Sequence, residues 1–190
     1  MSKDAETLLC GIDEAGRGPL AGSLVIAGVV LNVPIDGLDD SKKLTEKRRE
    51  RLFPQILGQA RHHIVSFSSV EVDDLGISEC LRRGLRSIQK YFGEEVAYLY
   101  DGNTTFGVAN LETMVKADAK VPEVAAASIL AKVTRDREIV KLAEQYPEYS
   151  FEKHKGYGTR AHIEAIVEHG RCPIHRTTFR IKQIDEPTLF

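Results

Sequence analysis

The feature that most constrains this chain is its longest apolar stretch, Pro19 to Leu31. It is too short and too interrupted by glycine to span a bilayer. Its second part, Ser23 to Leu31, is rich in Val and Ile and reads as a strand. Before it lies another short buried strand, Thr7 to Asp13, joined to it by the glycine-rich turn Gly16 to Gly18. A pair of strands such as this needs further layers to cover it, and the rest of the chain supplies them. A helix is expected over Thr45–Gln59, with Pro54 kinking or dividing it. A third strand follows at His63–Ser68, and a helix at Ser78–Tyr91 with Leu81, Leu85 and Ile88 on one face. Val96–Tyr100 reads as a fourth strand delivering Asp101, and Leu111–Val115 as a short fifth ending before Asp118. The alanine-rich stretch Glu123–Tyr146 gives the strongest helical pattern. A last helix starts after Thr159 as N-cap and stops at Gly170.

This order predicts an α/β fold with a mixed sheet flanked by helices and a helical, basic C-terminal segment. With 190 residues and 42% hydrophobic content, one domain over 1–190 is expected, with about 150–190 as a segment packed on it. Cys10, Cys80 and Cys172 are odd in number and far apart, which fits packed thiols rather than a disulfide framework or zinc site. No basic region precedes an apolar core at the N-terminus, so a cytoplasmic location without membrane contact is expected.

The net charge of −2 argues against a generic nucleic-acid coat protein, but the distribution is uneven. Lys42, Lys43, Lys47, Arg48, Arg49 and Arg51 cluster at the start of one helix. Between Ser150 and Lys182, seven Lys and Arg face three Glu. Such local surfaces can hold phosphates; each is also compatible with an ordinary solvated face.

Acids stand where the expected strands run out: Asp13 and Glu14, Asp101, and Asp118. Strand ends in an α/β sheet converge on one crevice, so these four can meet. Clustered carboxylates repel one another unless cations share them, and all-oxygen ligands favour Mg²⁺ or Mn²⁺. Two such ions about 4 Å apart would serve phosphodiester cleavage. Strand-end acids are also common as caps and turn formers, so residue types alone leave both readings open. Neighbouring residues on a regular strand point to opposite faces, so Asp13 and Glu14 can share a site only where the strand bends or ends. Gly16–Ala21 also fits the loose glycine pattern of dinucleotide-binding turns. That pattern requires a helix next, and Ser23–Leu31 has strand character instead.

The run Gly11–Gly22 resembles the N-terminal motif of the ribonuclease HII family. Asp40–Leu44, Asp101–Asn103, Lys116–Asp118, Ala126–Asp136, His154–Thr159 and Pro173–Arg176 resemble further family segments, in family order. The resemblance implies the ribonuclease H fold, with Asp13, Glu14, Asp101 and Asp118 as the catalytic acids binding two divalent ions, Mg²⁺ or Mn²⁺. It implies cleavage of the RNA strand of RNA/DNA hybrids, and cutting 5′ of ribonucleotides embedded in duplex DNA, leaving 5′-phosphate and 3′-hydroxyl ends. Gly16, Arg17 and Gly18 match the segment that contacts the ribose 2′-hydroxyl, and Tyr157 the tyrosine that packs against the neighbouring sugar. Lys42 and Lys43 resemble phosphate contacts, with a helix start capped by Ser41 as the plainer reading. His175 and Arg176 are candidate phosphate contacts, Ser128 and Lys132 could face the duplex, and Asp136 is expected to be ion-paired between arginines. A monomer is expected, and the ending Glu186–Phe190 faintly resembles sliding-clamp-binding peptides. The alternatives are a non-catalytic hybrid-binding module and a dinucleotide-dependent oxidoreductase.

Overall fold

The computed structural model describes residues 8–39 and 41–186. Strands β1 (Leu8–Ala15), β2 (Leu24–Leu31), β3 (Ala60–Phe67), β4 (Val96–Asp101) and β5 (Glu112–Met114) form one sheet in the order β3-β2-β1-β4-β5. β1 pairs antiparallel with β2 and parallel with β4, so the sheet is mixed and changes direction at its middle strand. The helices are α1 (Glu46–Gln59), α2 (Ser69–Leu75), α3 (Ile77–Phe92), α4 (Pro122–Ala143), α5 (Phe151–His154), α6 (Arg160–His169) and α7 (Lys182–Asp185).

β2 is apolar throughout because both of its faces are covered. Leu24, Ile26 and Val30 point with Cys10, Ile12 and Tyr100 toward Leu81, Leu85 and Ile88 of α3. Val25, Ala27 and Val29 point the other way, onto Leu52 and Ile56 of α1 and the alanines of α4. Those alanines let α4 lie very close to the sheet. A Cβ on Gly11 would stand 2.3 Å from the backbone of Glu123 and Val124, so glycine at that point of β1 is required by contact.

A third cluster joins Ala21 and Ile139 to Tyr149, Phe151, Ile166 and Ile181 of the C-terminal segment. The backbone seals this junction: Leu20 N–H donates to Gly156 C=O (2.8 Å), Gly22 N–H to Ile174 C=O (2.9 Å), and Arg176 N–H to Leu20 C=O (2.7 Å).

Several local expectations change. α1 runs unbroken through Pro54; the proline removes one backbone donor, while Leu52, Phe53 and Ile56 keep the helix on the sheet. Thr45 caps α1, accepting from Arg48 N–H, whereas Ser41 lies buried with its hydroxyl 2.7 Å from that of Ser128. The short helix α2 was not anticipated, although Ser68 and Glu71 form a reciprocal capping box at its start. β1 does not bend or end at Asp13; it stays paired through Ala15. Asp40 and residues 187–190 lie outside the described residues.

Candidate active site

Asp13 belongs to the central strand and points to the α4 side of the sheet, since it alternates with Ile12, which faces α3. Asp101 closes β4 and is fixed by backbone donors: its Oδ1 accepts from Lys116 N–H at 2.9 Å and its Oδ2 from Asp118 N–H at 3.4 Å. Asp118 sits in a single 3-10 turn, Ala117–Ala119, entered through a left-handed Lys116. One carboxylate oxygen from each of Asp13, Asp101 and Asp118 lies within 4.8 Å of the others. Among the described residues, this is the one group of three or more His, Cys, Asp or Glu able to share an ion.

Glu14 is not in that group. Because β1 remains regular, its side chain emerges on the α3 side, where Oε2 accepts from the Tyr100 hydroxyl at 2.7 Å and Oε1 from Arg17 at 3.3 Å. The alternation rule therefore held, and the expected four-acid set appears as three aspartates with a glutamate across the strand. Burial pushes the Asp13 carboxyl well above its ordinary range, and the charge of Glu14 adds to this. Burial likewise raises Glu14, opposed by the Tyr100 hydroxyl and the Arg17 guanidinium. The burial of Asp13 and Glu14 thus disfavours their charged forms, and the oxygen donors of the aspartates are those a hard divalent cation requires. The residues present fit a divalent metal.

Beside the acids opens a cleft of about 210 Å³ lined by Asp13, Glu14, Gly16, Arg17, Gly18, Lys42 and Tyr157, together with Ser41, Ser128 and Lys132. Nine of the candidate catalytic, substrate-binding and duplex-facing residues, Ser128 and Lys132 included, thus share one hollow. The wall at Gly16 is backbone: its φ of +107° suits glycine, and a Cβ would strike Ser23 C=O at 2.4 Å and the Arg135 side chain at 2.6 Å. Tyr157 is 43% exposed, with Lys132 Nζ and the Arg135 guanidinium 5.8 and 5.5 Å from its ring centre. Lys132 also pairs with Asp136 at 2.8 Å, so Asp136 is ion-paired as expected, though chiefly to a lysine.

A larger hollow of about 670 Å³ beside α6 is lined by Ile163 and Val167, and its Arg160 and Glu164 bind each other. It holds no acid cluster.

Two expectations fail here. His175 and Arg176 are 3% and 1% exposed and cannot meet a phosphate. Arg176 instead donates to the carbonyls of Gly22, Ser23 and Arg17. Arg135, fully buried and not singled out from sequence, does the same for Ala21, Ser23 and Lys155. Its signal was available: an arginine on the inward side of an alanine-rich helix must find acceptors. Tyr100 was also missed, its hydroxyl being indistinguishable in sequence from a core aromatic.

An all-oxygen acidic cluster opening on a cationic cleft suits an enzyme that handles a polyanion with hard divalent ions, and the class is that of metal-dependent phosphodiester hydrolases. Comparison with known proteins narrows this. Residues 10–182 match the family model Ribonuclease HII. The Ribonuclease HII of Sulfurovum sp. (strain NBC37-1) is 71% identical over 182 residues, 96% of each chain. Among solved structures, the RNase HII in the PCNA:RNase HII complex from Archaeoglobus fulgidus is 30% identical with a TM-score of 0.78, covering 92% of this chain and 96% of that one. The ribonuclease H2 from Pyrococcus horikoshii OT3 is also 30% identical, with a TM-score of 0.70, covering 90% and 93%. The chain belongs to the ribonuclease HII family, and the fold expected from sequence is the fold observed.

Proposed function

We propose that this ribonuclease hydrolyses the RNA strand of RNA/DNA hybrids and cuts 5′ of ribonucleotides embedded in duplex DNA, with Asp13, Glu14, Asp101 and Asp118 as its catalytic acids. The observation that carries the reading is the convergence of three aspartates beside a cleft walled by glycine backbone, cations and one exposed tyrosine. Mg²⁺ or Mn²⁺ held by the aspartates would supply Lewis acidity and a nucleophilic hydroxide.

The remaining work falls to the chain's own residues. Lys116 N–H and Asp118 N–H keep the Asp101 carboxylate oriented. Tyr100 and Arg17 hold Glu14 at the cleft. Gly16 and Gly18 admit the sugar-phosphate backbone to within hydrogen-bonding distance of main-chain groups, which is how a 2′-hydroxyl is told from hydrogen. Lys42 and Lys132 bring positive charge to the phosphates, and Tyr157 offers a ring face to the adjoining sugar.

A single catalytic domain, with residues from about 150 onward as its substrate-binding segment, is supported by the way that segment supplies Tyr157 and closes on Leu20–Gly22. A cytoplasmic monomer is part of the same proposal; no helix among the described residues is long and apolar enough to cross a membrane. The Archaeoglobus relative is in complex with PCNA. We propose a comparable clamp contact through residues 186–190, to be refuted by a pull-down that deletion of Thr188–Phe190 leaves unchanged.

The decisive experiment uses a labelled DNA duplex holding one ribonucleotide. Cleavage on its 5′ side with Mg²⁺ or Mn²⁺, abolished by EDTA, is the expected result. Binding without cleavage would select the non-catalytic module, and undiminished cutting in EDTA would remove the metal from the mechanism.

A further inference from the structure

Three imidazoles lie together under the cleft. His162 and His175 are 0% and 3% exposed, with their Nε2 atoms 3.0 Å apart, and His154 stacks on His162 with ring centres 4.3 Å apart. The other neighbours are aromatic, Tyr149 and Phe151, while Arg171 and Cys172 approach from the segment that carries His175.

The Tyr157 carbonyl and the ring–ring contact together favour one arrangement of protons. Tyr157 C=O can only accept, so His162 Nδ1, 2.9 Å away, carries hydrogen and its Nε2 is bare. The hydrogen between the two rings then belongs to His175 Nε2. That leaves His175 Nδ1 bare, and it is met by two donors, Cys172 N–H at 2.9 Å and Cys172 Sγ at 3.1 Å, both nearer than the Cys172 C=O at 3.3 Å. His154 closes the pattern independently, donating from Nε2 to Tyr149 C=O at 2.8 Å and accepting from Gly156 N–H at 3.3 Å. A proton added to His162 would set its Nε2–H against the Nε2–H of His175, and one added to His175 would set its Nδ1–H against Cys172 N–H, with only the Cys172 C=O at 3.3 Å to accept it. Burial, which leads the causes, presses both rings down to about 4, so they stay neutral where the enzyme works.

The chain of hydrogen bonds runs from Cys172 through both rings to the carbonyl of Tyr157. At its other end His175 is bridged to Ala21 in the loop leading from Gly16 to β2. We propose that His162 and His175 are positioning residues, which through this directional relay fix the backbone of Tyr157, and hence its ring, relative to the glycine wall of the cleft. This rests on the proposed role of Tyr157. It replaces the expectation that His175 touches phosphate.

Two measurements test it. In ¹⁵N-histidine-labelled protein at pH 7, long-range ¹H–¹⁵N correlation should find His162 as the Nδ1–H and His175 as the Nε2–H tautomer. The reverse tautomer, or double protonation, at either ring would overturn the relay. In the second, cleavage of the single-ribonucleotide duplex is compared for His162→Leu in the Tyr157 and Tyr157→Ala backgrounds. With Tyr157 present, KM should rise about fivefold, the equivalent of one hydrogen bond, with kcat within about twofold. With Tyr157→Ala, His162→Leu should change nothing further. Equal losses in both backgrounds overturn the positioning role alone; a Tyr157→Ala enzyme with unaltered kinetics overturns it together with the role given to Tyr157. Should His162→Leu not fold, His175→Gln cuts the relay one ring further back, and the same cycle applies with a smaller rise in KM.

Discussion

Replacing Arg176 separates a buried rivet from a phosphate contact. Its guanidinium donates to Gly22 C=O at 3.1 and 2.9 Å, Ser23 C=O at 3.0 Å and Arg17 C=O at 3.3 Å. Arg176→Met keeps the volume of the stem and removes these donors. Ser23 C=O retains Arg135 Nε at 3.0 Å, so two carbonyls, those of Gly22 and Arg17, are stranded. Each stranded buried acceptor costs about 1–3 kcal/mol. Methionine also abolishes the burial of a charge, a burial that depresses the guanidinium to about 10. The net loss therefore falls at the low end, about 2 kcal/mol, or about 4–8 °C in Tm for a chain of this size. Arg176→Lys should be worse than Arg176→Met, because one ammonium keeps the buried charge but cannot span three carbonyls. Calorimetry reads the first effect and substrate titration against salt the second. A rivet leaves the salt slope unchanged, whereas a lost phosphate contact lowers it by about 1. A fully stable Arg176→Lys, or a slope reduced in Arg176→Met, would refute the reasoning.

Asp101→Asn should lose at least about 100-fold in kcat with little change in Tm, because the amide binds divalent metal poorly while its oxygen still accepts from Lys116. Near-normal turnover with magnesium would contradict this. Mn²⁺ added to metal-free protein should raise Tm, and the rise should vanish in Asp13→Asn, which a thermal-shift titration can read. Burial alone would raise the Asp73 carboxyl, but four donors from Thr177 and Thr178 outweigh it and hold it below the usual 3.8. Its stabilisation is therefore complete above pH about 5 and lost as pH falls below 4, so the stability gap between wild type and Asp73→Ala, about 1 kcal/mol, should close in acid. A gap independent of pH would count against it. Gly11→Ala should cost about 3 kcal/mol in urea unfolding, since its Cβ meets backbone at 2.3 Å; a neutral result would mean α4 is free to retreat.

What could be read in advance was whatever short-range patterning encodes. The Val/Ile run of β2 announced a strand buried on both faces, and the alanines of α4 a helix in close contact with others. Asp101 could be placed at a strand end because Gly102-Asn103 turns the chain beside it, whereas Asp118 stands beyond β5 in a 3-10 turn that no sequence pattern announced. The bend or strand end expected at Asp13 is absent: the backbone stays paired through Ala15, so Glu14 follows strand alternation and stands apart from the three aspartates. His175 and Arg176 were unreadable for a different reason. The acceptors of Arg176 come from residues 17–23, more than 150 positions away, the ring of His175 is buried against His162, and a local window containing Arg171, Arg176 and Arg180 looks like wet cationic surface. Long-range burial of polar groups leaves no periodic trace.

The junction between the glycine loop and the C-terminal segment also bears on the order in which this enzyme comes into being. All four acids have been synthesised by residue 118, yet the loop beside Asp13 finds its backbone hydrogen-bonding partners at Gly156, Ile174 and Arg176. A nascent chain can thus gather its carboxylates well before it owns a groove in which to seat a nucleic acid. The cleft is complete only once Tyr157, from the last few dozen residues, has joined Asp13, Lys42 and Lys132 around it.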